Sequence, residues 1–194
     1  MMEPEYKIEK IETQLPVQEL LEHYYDQEQF ETLCRECGNY GNVWSCPPYS
    51  FSPRGYLEAY QTIRLFGTVI RFAEEFRAQI ITREQVKEAV NKSVWPVKEQ
   101  IDKEFLALEK QNPGSRMLSS GGCQLCTRCA RTAGMPCRQK GKMRYSLESL
   151  GCNVAALAEQ KLGVPLLWSA GQLPEYYMLV NGLLCHRKSG ESSF

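Results

Sequence analysis

Residues 62–72 read Thr-Ile-Arg-Leu-Phe-Gly-Thr-Val-Ile-Arg-Phe, a run of β-branched and aromatic residues that predicts a strand, bulged at Gly67. The period then changes. Thr82-Arg83-Glu84-Gln85 fits a capping box, with Thr82 as N-cap and Gln85 reaching back to it. Behind the cap Val86, Val90, Val94, Val97, Ile101, Phe105 and Leu108 recur at steps of four and three, one apolar face over a long helix. Pro96 falls inside that run, so the spacing predicts a kink near Trp95 or two abutting helices. Asn112-Pro113-Gly114 ends the segment.

Upstream, Tyr6 to Thr13 alternates loosely and predicts an edge strand. Pro16 opens an amphipathic helix carrying Leu20, Leu21, Tyr24 and Tyr25, and a second short helix spans Glu28 to Leu33. Downstream, Arg116 to Ser119 reads as a short strand, and Ser146 caps a helical turn. Asn153 starts a helix with Val154, Leu157, Ala158 and Leu162 that Gly163 closes. Val164 to Trp168 and Tyr176 to Val180 are strand candidates, with Asn181-Gly182 turning the second into a hairpin with Leu183 to Arg187. Strands and helices mix without βαβ alternation. The expectation is an α+β single domain over 1–194, with a small mixed β-sheet packed against helices.

Composition narrows the function. The 194 residues are 43% hydrophobic, enough to bury a core. Lys and Arg number 23 and so do Asp and Glu, so no global charge steers the chain to nucleic acid or an anionic membrane. The first residues lack a signal-peptide pattern, and no apolar stretch nears the ~20 residues of a membrane span. These features predict a cytoplasmic protein. In a reducing compartment nine cysteines read as metal ligands or redox groups rather than disulfides.

Seven of them form two tight runs. The first is Cys34-x2-Cys37-x8-Cys46, followed by Pro47-Pro48, in a loop over 34–53 rich in glycine and proline. The second is Cys123-x2-Cys126-x2-Cys129-x7-Cys137, preceded by Gly121-Gly122, with Pro136 before its last cysteine, in a loop over 121–145. Two successive x2 steps put three thiolates on one short loop, which suits an iron–sulfur cluster, where each thiolate takes a different iron. Bacterial ferredoxins start the same way, although their last gap is x3. Zinc sites usually draw a C-x2-4-C pair from each of two separated places, and neither run has that form, so zinc is the alternative metal.

Surrounding residues fit a cluster. Gly38, Gly41, Gly121 and Gly122 let backbone N–H groups approach sulfur, and prolines stiffen the loops. Trp44, Tyr49 and Phe51 are expected to pack over the first site. Arg128, Arg131, Arg138, Lys140, Lys142 and Arg144 surround the second run, where they would tune the site, dock an acidic redox partner, or simply form a solvated face. Cys152, just before a helix, is a candidate fourth ligand for the first site, and Cys185 reads as a small buried hydrophobe. His23 reads as a surface residue and His186 as a weak ligand candidate. No nucleophile elbow, P-loop, zincin motif or dinucleotide fingerprint is present.

These motifs resemble a known family. Cys34-Arg35-Glu36-Cys37, Tyr40-Gly41, Trp44-Ser45-Cys46-Pro47-Pro48, Cys123-x2-Cys126-x2-Cys129 with Cys137-Arg138, and Tyr145 to Val154 are similar to the domain-of-unknown-function 2284 family of predicted metal-binding proteins, over roughly residues 30–165. The resemblance implies metal binding at Cys34, Cys37, Cys46, Cys123, Cys126, Cys129 and Cys137, with no settled activity. Cys152 departs from it, since an aliphatic residue is usual there. Three functions compete: an electron-transfer protein with two [4Fe–4S] clusters, an iron–sulfur enzyme with an open iron at the Cys34, Cys37 and Cys46 site, and a structural zinc module.

Overall fold

The computed structural model describes residues 3–169 and 171–186. Among these residues four strands form one sheet in the order β1-β2-β4-β3. They are β1 (Tyr6–Pro16), β2 (Thr62–Phe72), β3 (Arg116–Leu118) and β4 (Tyr176–Cys185). Every neighbouring pair is antiparallel, so the α+β class holds while the mixed sheet does not. The reason is connectivity: each crossover returns the chain to the sheet running against its neighbour. β1 is an edge strand, as its charge-rich alternation predicted.

Helices cover both faces. The strand period of two sends Ile63 and Leu65 of β2 and Val180 and Leu184 of β4 to one side. There they meet α1 (Val17–His23), α3 (Pro53–Glu58) and α7 (Val154–Leu162). The alternate residues Ile70, Phe72, Leu179 and Leu183 face α4 (Glu74–Arg77), α5 (Arg83–Lys92) and α6 (Val94–Gln111). Full burial of each such side chain contributes about 1.5–3 kcal/mol before entropy is counted. The remaining helix, α2 (Gln27–Arg35), carries the chain into the first cysteine loop.

The Thr82–Gln85 capping box is formed in both directions. Pro96 splits the long apolar segment into two abutting helices at Ser93, whose hydroxyl donates to the Ala89 carbonyl at 2.6 Å. As the third residue of α6, Pro96 sits where a missing N–H leaves no helical bond unmade. α7 begins at Asn153, which accepts from the Ala156 N–H, and closes at Gly163.

Three further expectations fail. β2 pairs with β1 without a bulge at Gly67; a side chain there would lie 2.3 Å from Met178 Cε, so the glycine permits close packing. Asn181-Gly182 is not a hairpin turn but lies inside β4, between β2 and β3, where a Cβ at Gly182 would lie 2.9 Å from Ile63 Cδ1. Leu183 to Cys185 continue that strand, and Arg187 lies outside the described residues. Val164 to Trp168 is irregular rather than a strand; Pro165 removes a ladder donor and its carbonyl takes the Tyr176 hydroxyl.

Candidate metal centre

The first cysteine run hangs on the end of α2. Asp26 caps that helix by accepting from the Gln29 N–H at 2.9 Å, and Cys34 sits in its last turn. Successive turns follow: Cys37 N–H donates to Cys34 O, Tyr40 N–H to Cys37 O, and Cys46 N–H to Val43 O, each at 3.0 Å. Cys34 and Arg35 are therefore helical and Pro53 begins α3, so the irregular loop is shorter than 34–53. Cys37 is exposed, Cys34 half-buried and Cys46 buried.

Burial pushes the Cys34 thiol up, and nearby Cys37, Glu148 and Glu31 push it further. Burial likewise raises Cys46 to about 11; Ser45 and Arg131 oppose this, while Cys37 and Cys34 add to it. These mutual effects put the three thiols in one electrostatic neighbourhood. A cation among them would reverse the trend, because thiolate ligands are stabilised by the metal they bind.

The second run curls round a single cavity. Cys123, Cys126, Cys129 and Cys137 all line one small cavity of about 20 Å³, with Val43, Trp44 and Ser45 from the first loop on its wall. Burial raises the Cys123 thiol; Cys137 and Cys126 also raise it, while the Leu125 backbone and Lys98 lower it. The four cysteines named from spacing alone are brought to one place.

The loops clasp each other. Cys123 N–H donates to Ser45 Oγ at 2.9 Å, and Trp44 Nε1 donates to Met135 O at 3.0 Å. Arg131, in a 3-10 turn over Ala130–Ala133, donates to Val43 O (3.0 Å), Cys46 O (2.6 Å) and Pro48 O (2.7 Å). Its guanidinium also lies 5.1 Å from the Trp44 ring centroid. Gly122 permits this contact: a Cβ there would lie 2.7 Å from Asn39 Nδ2 and 3.8 Å from Cys46 Sγ. Tyr49 and Phe51 stack at 4.8 Å and join Tyr56 and Tyr145 in an aromatic cluster beside the first loop.

The other basic residues divide. Arg128 and Arg138 are exposed, and Arg138 donates to the Arg128 carbonyl at 2.5 Å. Arg144 is buried and forks onto Glu109 of α6 at 2.5 and 2.7 Å. Cys152 lies in the apolar core at 0% exposure, and burial pushes its thiol far up. Cys185 is half-buried at the end of β4 against the α5–α6 side of the core, and His186 stacks on Tyr60 at 4.6 Å.

Sequence reading missed a buried polar group next to the second run. Lys98, 3% exposed, donates to Asp102 and to Ser119 Oγ, each at 2.8 Å, and Ser119 donates to Asp102 at 2.9 Å. The i, i+4 spacing of Lys98 and Asp102 was its visible sign. Glu148 was also passed over as a ligand; its Oε2 is sealed from water and has no hydrogen-bond partner among the described residues.

Among the described residues, no group of three or more His, Cys, Asp or Glu side chains stands ready-made to hold a metal ion. The donor chemistry nevertheless fits one: four thiols border one cavity, and Cys34 of the other run shares a cavity with Glu148, whose Oε2 lacks a partner among the described residues. Among the described residues, no helix is long and apolar enough to cross a membrane. No curated protein matches the chain, and no solved structure does. Residues 21–184 match the family described as "Predicted metal-binding protein (DUF2284)", and the chain belongs to that family.

Proposed function

We propose that the protein carries two [4Fe–4S] clusters, one at each cysteine run, and passes electrons to and from a partner protein. The observation that carries this reading is the single cavity shared by Cys123, Cys126, Cys129 and Cys137. Three thiolates at successive x2 steps reach three corners of a cubane, and Cys137 returns for the fourth. A bound cluster supplies one-electron transfer at a potential set by its surroundings.

The chain's own residues supply those surroundings. Trp44, Val43, Leu125 and Met143 border the cavity and limit water. Lys98 lowers the Cys123 thiol, as a thiolate ligand requires. Arg131 joins the two loops, so two clusters would sit side by side, with Arg128 and Arg138 left exposed for an acidic redox partner.

Anaerobic purification with iron, acid-labile sulfide and zinc analysis, together with a visible spectrum, tests the reading. A brown protein with matched iron and sulfide, bleached by dithionite, is expected. Stoichiometric zinc without sulfide would establish the structural zinc module instead.

A further inference from the structure

We infer that Glu148 is the fourth ligand of the metal centre at Cys34, Cys37 and Cys46, binding through its Oε2. This rests on the proposal that the first run holds metal. That run offers three thiols, whereas a cubane or a tetrahedral ion takes four ligands.

Glu148 stands where the missing donor is needed. It opens the 3-10 turn Glu148–Leu150, which packs against α2, the helix carrying Cys34. Glu148 and Cys34 line the same cavity, together with Tyr49, Pro47 and Pro48. The Gly121 backbone and the Ser146 hydroxyl favour its charged form against the effect of burial. The next glycine, Gly122, borders Cys46 Sγ. The carboxylate thus shares a cavity with the first cysteine of the run, and the glycine pair beside it reaches the last.

Its second oxygen is unspent. A buried acceptor without a partner is costly, and such an atom calls for an explanation. The cation it senses, Lys98, donates to Asp102 and Ser119. A metal would satisfy Oε2.

Competing donors fit less well. Glu31 lines the same cavity, but its Oε1 receives Arg35 and the Tyr40 hydroxyl, each at 3.1 Å. Cys152 lies in the apolar core with Leu20, Leu147 and Leu150 and does not line the cavity. Cys185 belongs to the α5–α6 side of the sheet.

Glu148→Gln and Glu148→Cys test the assignment, each purified anaerobically from cells grown on isotopically enriched iron. Metal content and Mössbauer spectra are the readouts, with the second-run cluster as internal reference. In the wild type one iron of the first cluster should show a distinct, oxygen-ligated signature. Glu148→Gln should lose that iron and give a three-iron EPR signal, while Glu148→Cys should keep full iron with an all-thiolate spectrum. Glu148→Gln protein with unchanged iron and spectrum would overturn the assignment while leaving the metal reading intact. If Glu148→Gln fails to fold, the cysteine variant decides, because a spectrum identical to wild type would refute oxygen ligation. A wild-type first run without metal would overturn both readings together.

Discussion

The backbone N–H of Cys123 donates to the hydroxyl of Ser45 at 2.9 Å, so the residue preceding Cys46 anchors the first cysteine of the other run. Seventy-eight positions of chain separate the two residues. The cysteine loops are therefore one structural unit, and a change in one should be felt in the other.

Arg131 makes this testable. Its guanidinium closes three hydrogen bonds onto first-loop carbonyls, and hydrogen bonds to a charged group contribute about 1.5–3 kcal/mol each, though not additively. Arg131→Ala should destabilise the protein by about 2 kcal/mol and speed amide exchange over residues 38–48. Arg131→Lys should restore little, because an ammonium lacks the planar fork. Unchanged exchange in the first loop would refute the clasp.

Glu109 gives a pH-dependent prediction. Burial pushes its carboxyl up, but hydrogen bonds from Arg144 and the Met117 N–H outweigh this and hold it below the ordinary value of 4.5. A carboxylate with a lowered folded-state value stabilises the protein above its unfolded value and loses that contribution as pH falls through the folded one. Glu109→Gln also leaves Arg144 buried and unpaired, at a cost of about 3 kcal/mol at neutral pH. Chemical denaturation of both proteins should show that gap at pH 7 and its narrowing below about pH 4.5. A gap that does not change with pH would mean that Glu109 is not held ionised by Arg144.

Metal should order the loops more than the helices. α6 and α7 bury apolar stripes, whereas the cysteine loops are turns rich in glycine and proline. Chelated protein should keep its far-UV helical signal while residues 34–53 and 121–145 become sensitive to protease. Equal protection with and without metal would show that the loop clasp alone orders them.

Much of the fold was legible because it follows local rules. The capping box, the Asn153–Gly163 helix and β2 each carry their signals within a dozen residues. Asn181-Gly182 misled because a hairpin dipeptide also suits a crowded central strand, and only the neighbours Ile63 and Leu118 reveal the crowding. Spacing made it legible that the four cysteines of the second run would border one cavity, but the role of Arg131 was not legible: its charge suggested a surface, and its partners lie over 80 residues away. Glu148 and Lys98 were hidden for the same reason, since burial of a polar group is a property of the assembled core.

Iron quantification in wild type and Cys126→Ala, both purified anaerobically, tests most directly whether the second run holds one complete cluster. With one cubane at each run, the wild type should carry on the order of eight irons and the variant about half, with the first-run signal retained. An unchanged iron content and an unchanged charge-transfer band in Cys126→Ala would contradict the assignment of the second run.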